Sequence, residues 1–235
     1  MKYQYVWLAW SGAFLIPWIS LYAANRSARH IMSRVSIATA LFGLTEPIFV
    51  PEYWNPPSVF DLAQRTGFDI ESVIFAFAIG GIGAVLYNTF AARALRLIEP
   101  AARRAPRHRA HRLAIVLPYL LFMPLYLLPW NPIYPAVVCL VIGAVASAIC
   151  RPDLALNTLF GGVLFLGLYS VFVVGLSWFA PGYIEQVWNL KALSGVLIRG
   201  VPLEELLFGF AFGAYWASVY EHFSWLTGTA PTVRA

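Results

Sequence analysis

The residues of this chain best suited to chemistry are glutamates that lie within or beside long apolar segments. Glu204 and Glu205 follow Pro202 and precede the apolar run 206–220. That run covers only about 22 Å at 1.5 Å per residue, whereas the hydrocarbon core of a bilayer is about 30 Å thick. A helix long enough to span the membrane must therefore include Glu204 and Glu205 at one end or Glu221 at the other. The alternative is a structural role, because proline and acidic residues both favour the first turn of a helix.

Glu46 and Glu71 are the other candidates. Glu46 lies between Thr45 and Pro47 with apolar residues on both sides, and an ionisable group inside a membrane segment is costly unless it is paired or functional. Its alternative role is to stabilise packing by hydrogen bonding to a neighbouring helix. Glu71 can stay outside the membrane, since the run 73–92 is long enough to span without it. The candidacy of Glu71 depends on an internal repeat described below.

Carboxyl groups of this kind, together with aromatic side chains, suit the protonation of an alkene. An apolar surrounding favours the neutral form of a carboxyl group, which can then donate its proton to a poor base. The π-faces of aromatic rings stabilise the resulting cation. Tryptophan and tyrosine commonly mark only the membrane interface, but we predict that some of them bind substrate: Trp54, Trp178, Tyr183, Tyr215 and Tyr220.

The elements that must position these residues are membrane-spanning helices. Hydrophobic residues make up 60% of the chain and charged residues 11%, against about 25% charged in soluble domains. Gly209 and Gly213, four residues apart on the last helix, indicate a face for close helix packing. The sequence predicts an all-α membrane protein with about seven transmembrane helices, at 3–23, 35–50, 70–92, 113–129, 132–150, 155–179 and 202–222.

Positive charges predict the orientation of the chain. With the N-terminus outside, twelve of the 16 lysines and arginines, Arg234 among them, lie on the inner side, and Lys2 is one of four on the outer side. Because cytoplasmic loops are enriched in such residues, we expect a multi-pass protein of the cell (inner) membrane with a cytoplasmic C-terminus. The basic loop 93–112 is then a topology determinant that contacts anionic lipid, and no nucleic acid is expected as a partner.

The chain contains an internal repeat. Segments 69–90 and 202–223 align without a gap and are identical at eight of 22 positions, which include the pair Glu71 and Glu204. Helices one to three and five to seven therefore form two parallel three-helix repeats joined by a linking helix, with a shared site expected between them. The predicted division is 1–92 for the first repeat, 93–131 for the basic loop and linking helix, and 132–235 for the second repeat.

Other chemistries lack their motifs in this sequence. There is no P-loop, HExxH or G-x-S-x-G segment, and Asp61, Asp69 and Asp153 are isolated, not grouped as a magnesium-diphosphate site requires. Cys139 and Cys150 share one apolar run, and the four histidines show no ligand spacing with cysteine or with one another. We therefore predict no metal site and no cofactor.

The segment Pro202-Leu203-Glu204-Glu205 resembles the Pro-x-Glu-Glu motif of the small integral-membrane lycopene cyclases, which occur as paired short subunits or as fused two-repeat chains. Glu46 in the second helix and Tyr220-Glu221 near the end of the last helix also match the pattern of that family. In the first repeat, Asp69-Ile70-Glu71-Ser72 departs from the motif because it lacks the proline and the second glutamate.

The resemblance implies a carotenoid cyclase that needs no cofactor. One protonated carboxyl, Glu204 or Glu205, gives a proton to the terminal alkene of lycopene or a related polyene, and the cation closes onto the neighbouring double bond. A carboxylate, Glu71 or Glu46, then removes a ring proton and leaves a β-type ring. Such an intramolecular lyase (isomerase) reaction needs two carboxyls in different environments. The bilayer holds the apolar substrate, and the family's paired subunits imply a homo- or hetero-oligomer.

Two other functions are compatible with the same residues. A membrane transporter or proton-coupled carrier would use the intramembrane carboxylates as a proton relay. Helix breaks would then be expected in both repeats, whereas the prolines of this chain do not pair symmetrically. The other alternative is a subunit or scaffold that requires a partner, as the paired cyclases do.

Overall fold

The structure is a computed structural model that describes residues 3–229. Within these residues the chain is predominantly helical, and four helices are long and apolar enough to cross a membrane: Tyr3–Ala24, Ile70–Phe90, Ile133–Cys150 and Pro152–Phe179. The prediction of a helical membrane protein is confirmed, while the number of spans stays a prediction. Lys2 and Arg234, which contributed to the charge distribution above, lie outside the described residues.

Eleven α-helices occur in the described part of the chain: α1 (Val6–Ala13), α2 (Leu15–Ala24), α3 (Arg29–Ala40), α4 (Leu62–Thr66), α5 (Ile70–Phe90), α6 (Pro100–Arg103), α7 (His111–Tyr126), α8 (Ile133–Cys150), α9 (Ala155–Phe179), α10 (Tyr183–Val187) and α11 (Leu203–Ser224). Short 3₁₀ segments flank or connect them at Tyr3–Tyr5, Arg26–Ala28, Leu41–Ile48, Val59–Asp61, Pro106–His108, Pro152–Leu154 and Leu190–Ala192. The long helices α5, α8, α9 and α11 begin and end within two residues of the predicted limits.

The second predicted helix, 35–50, differs most from the structure. α3 begins earlier, at Arg29, and after Ala40 the chain continues as the 3₁₀ segment Leu41–Ile48. Pro47 lies inside this segment and has no N–H to donate, which favours a break in the α-helical pattern. Gly43 packs against α5 so closely that a Cβ there would lie 2.7 Å from the Val73 Cα. The segment is thereby held against the first turn of α5.

α11 is largely buried and packs against α5, α8 and α9. Small residues allow the contact with α9. A Cβ added to Gly161 would lie 2.2 Å from the Ala217 Cβ, and one added to Gly213 would lie 2.3 Å from the Phe165 Cβ. A Cβ added to Gly209 would likewise lie 2.8 Å from the ring of Tyr169 on α9. The predicted packing face of Gly209 and Gly213 is confirmed.

Two small antiparallel ribbons accompany the helices, and the all-α prediction missed both. Strand β1 (Ala94–Leu97) pairs with β4 (Leu226–Thr229), and β2 (Leu197–Ile198) pairs with β3 (Val201–Pro202). β3 directly precedes α11 and β4 follows its end. Strands this short carry too few residues to show a period-2 pattern, which is why the sequence did not reveal them.

The contact between α9 and α11 predicts different effects for two glycine substitutions on α9. Gly161→Ala places a methyl group against Ala217, and overpacking of this kind should lower the free energy of unfolding by about 1–3 kcal/mol. Gly167→Ala is the matched control, because no described atom lies within 4 Å of a Cβ built at that position. Thermal unfolding in detergent micelles measures both variants. Equal melting temperatures for the two would contradict the close packing.

Candidate active site

A cavity of about 380 Å³ lies between the helices α1, α5, α8, α9 and α11 and the 3₁₀ segment Leu41–Ile48. Its walls are mostly aromatic and include Trp7, Phe14, Trp54, Phe75, Phe212 and Trp216. Among the described residues, the carboxyl groups that line it belong to Glu46 and Glu205. The cavity therefore combines π-faces with two acidic groups in an apolar surrounding.

Glu205 lies in the first turn of α11 and is 5% exposed. Three side chains donate hydrogen bonds to it. The Tyr53 hydroxyl and the Trp188 indole N–H, at 2.8 Å, donate to Oε1, and the Tyr169 hydroxyl donates to Oε2 at 2.5 Å. A carboxylate without a proton accepts at both oxygens, so the three donors match its ionised form.

Two paired loops hold the donors Tyr53 and Trp188 above α11. Trp54 and Trp188 form an antiparallel bridge. The Asn189 N–H donates to the Tyr53 carbonyl at 2.9 Å, and the Asn55 N–H donates to the Val187 carbonyl at 2.8 Å. Burial, and after it the charge of Glu205, raise the pKa of Tyr53 well above its ordinary value. Tyr53 therefore stays a hydrogen-bond donor at neutral pH.

Glu46 lines the same cavity but has a different environment. It is 4% exposed, and neither of its carboxyl oxygens has a hydrogen-bond partner within residues 3–229. Its polar neighbours are Asp69 and Ser72 at the start of α5. Asp69 caps that helix, since its Oδ1 accepts the Ser72 N–H at 2.5 Å. A buried charge without hydrogen bonds is costly, so the surroundings of Glu46 suit the neutral acid.

Glu204 and Glu71 do not line the cavity, although the sequence grouped them with Glu46 and Glu205. Glu204 Oε1 accepts the Tyr134 hydroxyl at 2.8 Å and the Ser194 N–H at 2.8 Å. Glu71 Oε1 accepts the Val59 N–H at 2.8 Å. Each of the two glutamates is buried at the second position of its helix and fixes the loop that precedes that helix.

Of the aromatic residues predicted to bind substrate, some line the cavity and others do not. Trp54 and Tyr215 line the cavity. Trp178 is 74% exposed and lies away from it. Tyr183 is buried beside a separate pocket near Tyr3. Tyr220, near the end of α11, does not line the cavity either.

The donors to Glu205 were missed by the sequence analysis. Tyr53, Tyr169 and Trp188 come from separate parts of the chain, and no spacing in the sequence connects them. The one available signal was the similarity of Pro51-Glu52-Tyr53 to Pro181-Gly182-Tyr183, which placed a buried tyrosine in both loops.

Two polar clusters at the other end of α11 were also missed. In the first, Asn88 Nδ2 donates to Glu221 Oε1 at 2.6 Å, and Arg93 donates to Asn157, also at 2.6 Å. In the second, three buried residues bring ligand-type atoms together: His108, His111 and Cys150. The sequence analysis found no ligand spacing among the histidines and cysteines, because sequence spacing does not report contacts made by the fold.

These features define a helical membrane protein with an aromatic cavity and two buried carboxyl groups, which is typical of an enzyme that acts on an apolar molecule. Residues 131–223 match the protein-family model described as lycopene cyclase. This match confirms, over these residues, the resemblance to the lycopene cyclase family that the Pro-x-Glu-Glu segment carries. Lycopene cyclases are enzymes of carotenoid biosynthesis. The comparisons with curated proteins and with solved structures gave no match.

The hydrogen bonds of Glu204 predict a structural role for this residue. Glu204→Ala removes the acceptor of the Tyr134 hydroxyl and the Ser194 N–H, and should lower the free energy of unfolding by about 1–3 kcal/mol. Glu204→Gln, whose amide oxygen still accepts, should cost less. Glu185→Ala, at an exposed position of α10, is the control. Unfolding in detergent measures all three, and a loss in Glu204→Ala no larger than in the control would refute the role.

Proposed function

We propose that the protein cyclises the acyclic end of lycopene or a closely related polyene to a β-type ring without a cofactor. The observation that carries this proposal is the pairing of two unlike carboxyls, Glu46 and Glu205, in one aromatic cavity. An unpartnered acid and a carboxylate that accepts three hydrogen bonds supply the two environments that general acid–base catalysis requires.

Glu46 is the proton donor in this proposal. Its oxygens accept no hydrogen bond within the described residues, so no such bond holds Glu46 in its charged form and its proton is available to an alkene. The proton adds to the terminal double bond of the polyene and leaves a tertiary carbocation. The cation then closes onto the neighbouring double bond, and a new carbon–carbon bond completes the six-membered ring.

Glu205 is the carboxylate that stabilises the cation and removes the ring proton. Tyr53, Tyr169 and Trp188 hold its charge in place before substrate arrives, so no reorganisation is needed as positive charge develops. The hydrogen-bond pattern favours this assignment over proton donation by Glu204 or Glu205. One proton enters the substrate and one leaves it, so the reaction is an isomerisation. The proton passes back from Glu205 to Glu46 before the next turnover.

The aromatic walls protect and stabilise the carbocation. Trp7 packs edge-on against Trp54, with ring centroids 4.7 Å apart, and Phe212 stacks on Trp216 at 4.4 Å. Rings of this kind stabilise a cation through the electrons of their faces. They also exclude water, which would otherwise capture the cation as an alcohol.

The substrate reaches the cavity from the bilayer. Two lining residues, Phe42 on the 3₁₀ segment and Tyr119 on α7, are also partly exposed on the outer surface of the bundle. Their rings lie face to face with centroids 6.4 Å apart. The gap between these elements is the access route for one end of the polyene, while the remainder of the chain stays in lipid.

The proposal includes the topology expected from the sequence. Seven spans, an outer N-terminus and a cytoplasmic C-terminus in the inner membrane would put Glu46 and Glu205 near the outer side. Two parallel repeats joined by the linking helix are supported by the matching roles of Glu71 and Glu204, each of which accepts a loop N–H at 2.8 Å. In the division 1–92, 93–131 and 132–235, each repeat contributes one carboxyl to the cavity.

Expression in a lycopene-accumulating bacterial host tests the function. Wild type should convert lycopene to cyclic carotenoids, and Glu46→Gln and Glu205→Gln should each lose at least about 100-fold of the activity, in line with the loss of a general acid or base. Glu185→Gln, exposed on α10, should retain it. Pigment extraction and chromatography give the result, with membrane levels of each variant measured in parallel.

Two outcomes would contradict the proposal. Unchanged lycopene in cells that contain folded wild-type protein would reject cyclisation of this substrate and favour the transporter or the partner-dependent subunit. Full activity of Glu46→Gln would reject Glu46 as the acid. Ring type is read from the same chromatograms, because ε- and γ-products differ from β-products in absorption and retention.

A further inference from the structure

The cluster of His108, His111 and Cys150 lies near the end of α11 opposite Glu205. All three residues are buried, and one ligand atom from each lies within 4.8 Å of the others. The Cys150 Sγ is 3.6 Å from the His108 Nδ1 and 3.6 Å from the His111 Nδ1. A 3₁₀ turn, the first residue of α7 and the last residue of α8 supply the three side chains.

The two sulfur–nitrogen separations fit a tetrahedral metal centre. Bonds of about 2.3 Å to sulfur and about 2.05 Å to nitrogen hold these atoms about 3.6 Å apart at the tetrahedral angle. A thiol has a single proton and can donate it to only one of the two nitrogens. The sulfur could accept a second bond only if the two histidines carried opposite tautomers, whereas one shared metal ion accounts for both equal contacts.

We propose that His108, His111 and Cys150 bind one Zn²⁺-type divalent ion. A thiolate with two imidazoles is a donor set that suits zinc. His222 is close enough to take part, since its ring centroid is 4.5 Å from that of His111. Its Nδ1 contacts the Ser147 hydroxyl at 3.0 Å, and its Nε2 has no partner within residues 3–229. His222 or a water molecule completes the coordination.

The surroundings orient the ligands. Trp225 stacks on His111 with centroids 3.8 Å apart and meets His108 edge-on at 5.1 Å. The nearby buried cation, Arg151, forms an ion pair with Asp153, with 2.6 Å between the Arg151 Nη2 and the Asp153 Oδ2. The His108 Nε2 accepts a bond from Arg107 at 3.3 Å. Ligation through Nδ1 places the imidazole proton on Nε2, so the exposed Arg107 side chain turns away when metal binds.

The site has a structural role. It joins the turn at 106–108, in the basic loop, to the ends of α7 and α8, and Trp225 connects it to the segment after α11. Glu205 lies about 25 Å away along α11, at 1.5 Å per residue. The proposal therefore does not depend on the cyclase reaction, and its test uses metal content.

Protein purified in detergent from zinc-supplemented cells, without a histidine tag, tests the site by elemental analysis. Wild type should hold about one zinc per chain, and Cys150→Ser and His108→Gln should each hold less than about a tenth of that, because two ligands bind zinc weakly. Cys139→Ser, at a buried cysteine of the same helix, and His30→Gln, at an exposed histidine, should match wild type.

Cobalt substitution provides a second, spectroscopic readout, and its wild-type part does not depend on how the variants fold. Tetrahedral Co²⁺ with one thiolate should give intense visible bands and a sulfur-to-metal charge-transfer band that Cys150→Ser lacks and Cys139→Ser keeps. Wild type that neither retains zinc nor develops these bands with added Co²⁺ would overturn the proposal. Equal zinc content in Cys150→Ser and wild type would overturn it as well.

Discussion

A buried carboxylate is stable only when its oxygens accept hydrogen bonds, and Glu205 imposes this constraint on much of the protein. Its donors come from three elements: Tyr169 from α9, Trp188 from the end of α10, and Tyr53 from the loop after the 3₁₀ segment. Gly209 allows the Tyr169 ring to lie against α11, since a Cβ there would come within 2.8 Å of that ring. The hydrogen bonds of Glu205 therefore require both the packing of α9 on α11 and the pairing of two distant loops.

The difference between Glu46 and Glu205 comes from their hydrogen bonds, because both are almost completely buried in the same apolar cavity. Three side chains donate hydrogen bonds to Glu205, whereas neither oxygen of Glu46 has a hydrogen-bond partner within the described residues. An enzyme that both gives and removes a proton needs this asymmetry. The proposed mechanism therefore rests on where the donors are placed, and the apolar character of the cavity strengthens the contrast, since hydrogen bonds are electrostatically stronger in a low dielectric.

The sequence predicts the fold more completely than it predicts the candidate site. Apolar runs near the length of a bilayer located α5, α8, α9 and α11 almost to the residue, and the cost of a charge in lipid singled out Glu46. Sequence could not separate Glu204 from Glu205, because consecutive residues of a helix point about 100° apart and only the neighbours decide which one faces the cavity. The donors to Glu205 and the histidine–cysteine cluster depend on contacts between distant segments. Neither leaves a periodic signal in the chain.

The site also requires more of the chain than the matched family region. Residues 131–223 contain Glu205, Tyr169 and Trp188, whereas Glu46 and Tyr53 precede that region. In the repeat alignment Ser72 occupies the position of Glu205, and Ser72 is a polar neighbour of Glu46. The first half thus lacks the second glutamate of its motif but carries Glu46 on the facing 3₁₀ segment. Each half supplies a single carboxyl from a different element, so neither half alone has the pair that the proposed proton transfers need.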